Sequence, residues 1–338
     1  KPFAFALCNH VGVVTWRWRH ILGDIMIVAV AVVRDAADKN HALNACVCCG
    51  TRLFDSREKF ESGTGWPSFW APAKRENIKE EVDPNLEMAA IHLRVFQNNG
   101  PAIYFENVKG SKFGAVSNLY GTLERSRFIF RDTLEQVKTL LELKNDPLKA
   151  FKDPIRNWPA GLAALNALPK KSYNNPVLAN QITVNQLPPV KCWPNDGGAF
   201  ITLPQVYTED LDKPGIMNSN LGMYRIQLNG NDYLPDKEVG LHYQLHRGIG
   251  VHQSKANAKG LPLKVSIFIG GPPAHTLAAV MPLPEGISEL TFAGVMGGRR
   301  FRYTTIDGHV ISSDADFVIT GEVYPNDNKP EGPFGDHL

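Results

Sequence analysis

Residues 264–270, KVSIFIG, and 317–323, FVITGEV, read as strands. The first follows the period-two pattern of a strand, and each is bounded by glycine, acid or proline punctuation. Between them Pro272 and Pro273 open a short helix predicted over His275–Val280, because proline suits the first helical turn. From about residue 186 onward strands dominate. Upstream, residues 151–185 are loop-rich, with proline at 154, 159, 169 and 176, and mark a boundary with a smaller α/β unit. In that unit Asp83-Pro84 reads as a helix start, followed by Leu86, Ala90 and Leu93 at helical spacing. Residues 101–107, PAIYFEN, read as a strand turned by Gly110. Asp132 with Glu135 forms a capping box for a second helix. Leu134, Val137 and Leu141 give it an apolar stripe, and Asn145-Asp146-Pro147 ends it. The fold class expected is mixed α/β: a unit over 79–175, then a strand-rich domain over 176–338.

Composition narrows the function. The chain has 338 residues, 43% hydrophobic and 21% charged, which is ordinary globular material. A net charge of +2 gives no electrostatic case for nucleic acid or an anionic membrane, beyond at most peripheral association. The apolar run Ile21–Val33 carries Asp24 and falls short of the roughly 20 residues of a span, so a buried strand or helix is expected. It has no clear signal-peptide cleavage site. The five cysteines are Cys8, Cys46, Cys48, Cys49 and Cys192, an odd and crowded set unlike a disulfide framework. A cytoplasmic protein is expected.

Residues 1–43 show no usable period and stay unassigned. Cys46 and Cys49 then make a CxxC, a spacing that suits two thiolates on one Zn²⁺, or two incidental thiols. Residues 46–72, CVCCGTRLFDSREKFESGTGWPSFWAP, resemble the opening half of the methionine-R-sulfoxide reductases. The resemblance implies half of a structural zinc site in a partial zinc-ribbon segment over 44–78, and a substrate-methyl contact for Trp66. The family's second CxxC and its catalytic cysteine have no counterpart downstream. Sulfoxide reduction needs a thiolate nucleophile, and Cys192 in VKCWPNDGG has a different neighbourhood. The segment reads as a relic or a join.

Four polar stretches carry the remaining chemistry: NSNLGMYR (218–225), HYQLHRGIGVH (242–252), PLPEGISE (282–289) and EGPFGDH (331–337). His242 and His246, four apart, suit one helix face around a metal, or are surface or core histidines. Glu289, ahead of an apolar run, is a carboxylate at a buried helix edge or a first-turn acid favoured by the helix dipole. Arg225 is an ion-pair partner or a carboxylate fork. Glu331 and Asp336 flank GPFG as proton-transfer groups or as turn residues. An amide, an imidazole and a carboxylate (Asn220, His246 and Glu289) are together a ligand set that Mn²⁺ or Mg²⁺ accepts, with room for phosphate oxygens.

From about Lys79 to Leu338 the sequence resembles the UbiD family of reversible decarboxylases. The match runs through EEVDPNLEMAAIHLRV, GPAIYFENVKGS, NLYGTLER, the stretch from WPNDGG to GMYR, HYQLHRG, GGPPAHTLAAVMPLPEGISE and DADFVITGEV. The resemblance implies prenylated FMN held with Mn²⁺ and K⁺ in a split β-barrel of the flavin-reductase kind. It puts Asn220, His246 and Glu289 on the metal, and the backbone of Ala279, Val280 and Met281 on the K⁺ side. Leu221, Gly222, Met223, Tyr224, Arg225 and Leu245 fall at cofactor-binding positions. Leu245 stands where some relatives have a polar flavin contact. Arg225, Glu331 and Asp336 match the catalytic set. Loss of CO₂ from an aromatic or vinylic carbon leaves a charge that no side chain delocalises, so a cofactor must supply the electron sink. The implied reaction is decarboxylation of an aromatic or unsaturated acid, with 4-hydroxy-3-polyprenylbenzoate of quinone biosynthesis as the family's best-known substrate class. A flavin prenyltransferase is implied as cofactor supplier. The family is homo-oligomeric through a further domain.

The two resemblances meet over Glu76–Asp83, ENIKEEVD, and the expectation is a chimaera joined across that string. A start at Lys1 and a stop after EGPFGDHL lead us to expect further chain at both ends. Two other functions stay open: a methionine sulfoxide reductase relic, and an inactive flavin- or metal-binding fragment.

Overall fold

A computed structural model describes the strands between residues 13 and 69 by their backbone, and residues 81–145, 161, 163–283 and 288–335, without the side chains of 144 and 145. The chain divides into two units, Lys1–Thr122 and Leu123–Leu338. Among the described residues no helix is long and apolar enough to cross a membrane.

In the first unit β1 (Val13–His20) and β2 (Gly23–Val30) pair antiparallel, His20 opposite Gly23. The apolar run from Ile21 is thus largely a strand. β3 (Val33–Arg34), β4 (Leu43–Cys46) and β5 (Arg52–Asp55) make a three-stranded sheet. β6 (Lys59–Phe60) and β7 (Ser68–Phe69) join β1 and β2, and β8 (Ile103–Phe105) and β9 (Ala115–Ser117) extend that sheet on its other side. Helix α1 is Glu87–Gln97, three residues later than Asp83-Pro84 suggests. Asp83 instead caps a turn: its Oδ1 accepts from the Asn85 N–H at 2.9 Å, and its own N–H donates to Glu87 Oε2 at 2.7 Å. Leu86 then stands at φ 71°, which breaks helical continuity before Glu87. The inward face also differs from the expected stripe. Met88 and Val95 are buried, whereas Ala90 and Leu93 are exposed. PAIYFEN does form β8, and Gly110 follows at φ 75°.

The second unit begins with α2 (Leu123–Ile129) and α3 (Leu134–Asn145). Val137 of α3 is buried, with Leu134 and Leu141 packed beside it, so the apolar stripe of this helix faces the core as expected. Among the described residues ten strands follow: β10 (Lys170–Lys171), β11 (Phe200–Ile201), β12 (Gln205–Glu209), β13 (Ser219–Gly222), β14 (Ile226–Gln227), β15 (Gly240–Leu241), β16 (Leu263–Ile269), β17 (Arg302–Ile306), β18 (His309–Ser312) and β19 (Phe317–Val323). Three α-helices among the described residues intervene: α4 (Gly248–Lys259), α5 (Pro273–Val280) and α6 (Glu289–Met296). The strands make three sheets, ordered β10-β17-β18, β11-β14-β15 and β13-β12-β16-β19, and no closed barrel among the described residues.

The four-stranded sheet organises the unit. Residues Val265 to Phe268 of β16 are all buried, so the period-two pattern does not separate a wet face from a dry one. The reason is that helices cover both faces. Phe268, Tyr207 and Leu221 join one core with α5, α6 and Phe301. Val206, Val265 and Ile267 join another with Ile249 and Ala256 of α4. β13 thereby receives α4 from one side and α5 and α6 from the other.

His275, in the first turn of α5, is 4% exposed and packs its ring 4.6 Å from that of Phe301. Its Nδ1 has no hydrogen-bond partner among the described residues. Burial disfavours the imidazolium and takes the pKa from 6.5 down to about 4, against the opposing pull of Asp314. The unfolded chain takes up this proton near pH 6.5, and the folded chain resists until about 4. The contribution is complete above pH 6.5 and lost as pH falls through the folded value, a swing of about 3 kcal/mol. Replacing His275 by Leu should remove that part of the acid destabilisation. Urea midpoints at pH 7 and pH 4.5 check it: the gap between the two narrows in the variant.

Candidate active site

Strand β13 carries the first polar group. Its register with β12 sets Asn220 opposite Thr208. Thr208 is fully buried and its Oγ1 lies 2.9 Å from Nδ1 of His252, one turn into α4. This bond ties α4 to the sheet beside Asn220. The N-terminus of α4 then comes so close that a Cβ on Gly248 would sit 2.0 Å from Asn220 Oδ1, so any side chain there would displace the Asn220 amide. His246 is exposed in the turn two residues before Gly248. The structure therefore corrects the helix-face reading of His242 and His246: neither is helical, since α4 starts at Gly248.

Past β13 the chain carries Tyr224, whose hydroxyl gathers the surroundings. Asn220 Nδ2 donates to it at 3.5 Å. Its titration is pushed up chiefly by burial, opposed by the Asn220 and Ile249 hydrogen bonds and reinforced by the Glu289 charge. Glu289 opens α6 behind a Ser288 cap. Burial raises its carboxyl pKa, and the backbone N–H groups of Glu289 itself and of Leu221 oppose the rise. Asn220 and Glu289 thus approach one place from two elements. The Met223 N–H donates to the Ala279 carbonyl at 2.9 Å, which brings the end of α5 to the same strand. Val280 and Met281, next along the chain, and Leu245, in the turn before α4, are exposed apolar side chains, 56%, 40% and 74% accessible. Gly222 packs so closely on the Tyr224 ring that a Cβ would lie 2.4 Å from it.

A second cluster lies one residue further on. In the β14–β15 pairing Ile226 stands opposite Leu241, so Arg225 and His242 are the next facing pair, and the His242 N–H donates to the Arg225 carbonyl at 3.4 Å. Glu331 enters from the loop after β19. Arg225 Nε donates to Glu331 Oε1 and Nη2 to Oε2, both at 2.9 Å, a bidentate fork. His242 Nδ1 is 3.1 Å from Glu331 Oε2. The Arg225 and Glu331 side chains are 16% and 9% exposed. The Phe334 ring lies 5.2 Å from the Arg225 guanidinium carbon. Asp336 and Cys49 lie outside the described residues, as does the Cys46 side chain.

The loop 330–335 is strapped by residues that sequence reading did not single out. Gln227, fully buried, accepts from the Gly332 N–H at 2.8 Å and donates to the Asn229 carbonyl at 2.8 Å. Asn231 donates to the Gly332 carbonyl at 2.6 Å and Tyr233 to the Pro330 carbonyl at 2.8 Å. Asp196 accepts from Gly335 with one oxygen and from Cys192 and Trp193 with the other. Each is a polar residue near a turn, and only the folded chain distinguishes it from its exposed neighbours.

The comparisons with known proteins divide along the same lines. The family model described as 3-octaprenyl-4-hydroxybenzoate carboxy-lyase Rift-related domain matches residues 168–338, half of the chain, and the model of the N-terminal domain of the same carboxy-lyase matches 72–144. The chain belongs to the UbiD family. A 4-hydroxybenzoate decarboxylase component of Chlamydia pneumoniae is 38% identical over 263 residues, covering 76% of this chain and 44% of that protein. The closed form of vanillic acid decarboxylase from Sedimentibacter hydroxybenzoicus matches at TM-score 0.62 and 26% identity, over 76% of this chain and 53% of the other. A dimeric form of the UbiD-class enzyme HmfF from Pelotomaculum thermopropionicum, in complex with prFMN, shares the mixed α/β fold at TM-score 0.60 and 23% identity, over 76% of this chain and 56% of the other. The chain spans about half the length of such relatives. A SelR domain model also matches residues 33–101, overlapping the UbiD-family match over 72–101.

Substituting Gln227 by Leu leaves the buried Gly332 N–H without its acceptor, a cost of about 1–3 kcal/mol. Amide hydrogen exchange should read it locally: protection at Gly332 falls by one to two orders of magnitude, while β16 keeps its protection.

Proposed function

We propose that this chain carries the active-site half of a UbiD-type carboxy-lyase, which removes CO₂ from an aromatic or unsaturated carboxylic acid and works with prenylated FMN. The observation that carries this reading is the juxtaposition of the shielded Arg225–Glu331 ion pair, with His242 beside it, and the Asn220–Glu289 pair, which meet along residues 220–225. The donor set fits the group. Asn220 and Glu289 offer an amide oxygen and a carboxylate, His246 an imidazole in the adjoining turn, all acceptable to Mn²⁺ beside a phosphate. The α4 N-terminus beside them has no acid in its first turn, which favours an anion. Backbone around Ala279–Met281 is the K⁺ side of this reading, and the exposed Leu245, Val280 and Met281 suit the flat face of a flavin. The split β-barrel is our reading of how the three sheets of the second unit relate. Prenylated FMN, when bound, supplies the electron sink for the carbon that loses CO₂.

The chain's own residues do the rest. Arg225 orients the substrate carboxylate through its guanidinium, which Glu331 already holds in place. Glu331 delivers the proton that replaces CO₂, with Asp336 as the further acid. Burial around the pair keeps water from competing. The substrate class we infer is arene acids such as 4-hydroxy-3-polyprenylbenzoate. We infer a cytoplasmic enzyme supplied by a flavin prenyltransferase and assembled as a homo-oligomer.

A second reading rests on the SelR match: the first unit as a sulfoxide reductase relic with a half zinc site at Cys46 and Cys49. Cys192 does not rescue an activity there, because burial and the Asp196 charge push its thiol up, away from the thiolate.

The test is purification from cells that make a flavin prenyltransferase, with Mn²⁺ and K⁺ present. We expect flavin absorbance, bound manganese and CO₂ release from a hydroxybenzoic acid. Arg225→Lys and Glu331→Gln should each lower release by about 10²-fold or more. Zinc without flavin and no CO₂ from any arene acid would replace this function with the relic.

A further inference from the structure

The Arg225–Glu331 fork fixes two side chains relative to each other, not relative to the sheet beneath them. Both side chains are long, and the pair could rock as a unit. A guanidinium is planar and its N–H groups lie in that plane, so the plane decides whether a second carboxylate can be met. This inference rests on the carboxy-lyase reading, in which Arg225 receives the carboxylate of the substrate.

Phe334 reaches Arg225 from the loop that also carries Glu331. The guanidinium carbon lies over its ring, 5.2 Å from the centroid, within cation–π reach. The same ring packs against Phe200, centroid to centroid 4.6 Å at 52°. Phe200 is 2% exposed and belongs to β11, whose pairing with β14 sets it opposite Gln227, two residues beyond Arg225. The backbone around Phe334 is held on both sides. Gln227 and Asn231 bond Gly332, the Pro333 carbonyl accepts from the Gly197 N–H at 2.8 Å, and the Gly335 N–H donates to Asp196 at 2.9 Å. Gly335 also lies so near Trp193 that a Cβ would sit 2.3 Å from the indole. A ring resting on a buried neighbour, with its backbone bonded on either side, is a fixed wall for the cation it faces.

We propose that Phe334 is a positioning residue for substrate binding: its ring, seated on Phe200, holds the plane of the Arg225 guanidinium ready for an arene carboxylate. The electron-rich face of the ring favours the cation and covers it, so the guanidinium keeps its orientation before any acid arrives. Leucine fills similar space without that face, and tyrosine keeps it.

Calorimetric titration of the flavin-loaded chain with benzoate tests this. In Phe334→Leu we expect the dissociation constant to rise about tenfold, and in Phe334→Tyr to stay within about twofold of the wild type. With a substrate acid the loss should fall on KM, with kcat kept within about threefold. Independently of any ligand, the Arg225 Nε–H proton resonance of the flavin-free chain should move in Phe334→Leu, where the ring current is gone, and hold in Phe334→Tyr. Amide exchange at Gly332 and Gly335 should stay slow in both variants, because the loop remains docked. Unchanged benzoate affinity in Phe334→Leu overturns the proposal, and so does a tyrosine variant as weak as the leucine one. A loss of affinity accompanied by fast exchange at Gly332 and Gly335 also overturns it, because Phe334 would then only seat the loop. An unmoved Arg225 resonance in Phe334→Leu overturns the contact itself. A wild-type chain that binds no benzoate and releases no CO₂ from any arene acid, although that resonance moves, removes the carboxy-lyase reading and the substrate role with it, while the ring contact stands.

Discussion

A carboxylate that is nine-tenths shielded from water has to be compensated where it sits, and Glu331 is compensated by Arg225. Removing two charges from water costs several kcal/mol each, so such a pair adds little net stability. What it does is fix geometry. A bidentate fork leaves the carboxylate one orientation, and breaking either member strands the other. The surrounding loop is organised to meet that demand: Gln227, Asn231, Tyr233 and Asp196 each spend a hydrogen bond on residues 330–335. Four straps on one short segment are hard to explain by stability of the loop alone. They make sense if the Glu331 carboxyl must not move by even an ångström.

The two-sided sheet explains how that precision is obtained. With helices on both faces, β12, β13 and β16 are buried, and their positions follow from close packing rather than from loop chemistry. The side chains we propose as the site sit at the margins of this packed layer. Asn220 lies at the α4 junction, Glu289 at the first residue of α6, and Arg225 just beyond the strand that presents Asn220. A site mounted on element ends borrows the rigidity of the layer, yet stays open on its outer side.

Legibility in the sequence varied with the source of each signal. The helices and strands near residues 103, 134, 264, 273 and 317 were readable because local rules, apolar spacing and proline placement, agree with the tertiary fold there. The start of α1 was misread because Asp83 satisfies Asn85 rather than a helix, and the two arrangements share one local pattern. The burial of β16 on both faces could not be seen, since its composition does not say how many layers cover it. The same limit applies to the site. Arg225 and Glu331 stand 106 positions apart, and only a family resemblance coupled them in the sequence. Gln227 and Asp196 had no such signal, because a polar residue that binds backbone looks like any other polar residue. The spacing of His242 and His246 suggested a shared helix face. Strand pairing instead hands His242 to Arg225 and leaves His246 to the turn before α4.

That division between the two histidines has a physical consequence. Four residues apart in an extended and turning segment, they are placed differently: His242 stands beside the ion pair, and His246 is exposed in the turn that leads into α4. The same segment runs from the Arg225–Glu331 ion pair to the α4 N-terminus beside Asn220. Gly248 lets that segment approach Asn220 closely, because a Cβ there would lie 2.0 Å from Asn220 Oδ1 and push the amide aside. Close approach at Gly248 and bidentate pairing at Arg225 are thus two ends of one constraint. The first draws the turn carrying His246 against β13, and the second anchors the strand carrying His242. A change in either would be felt by both clusters, because the segment between them, Tyr243 to Arg247, is too short to absorb it.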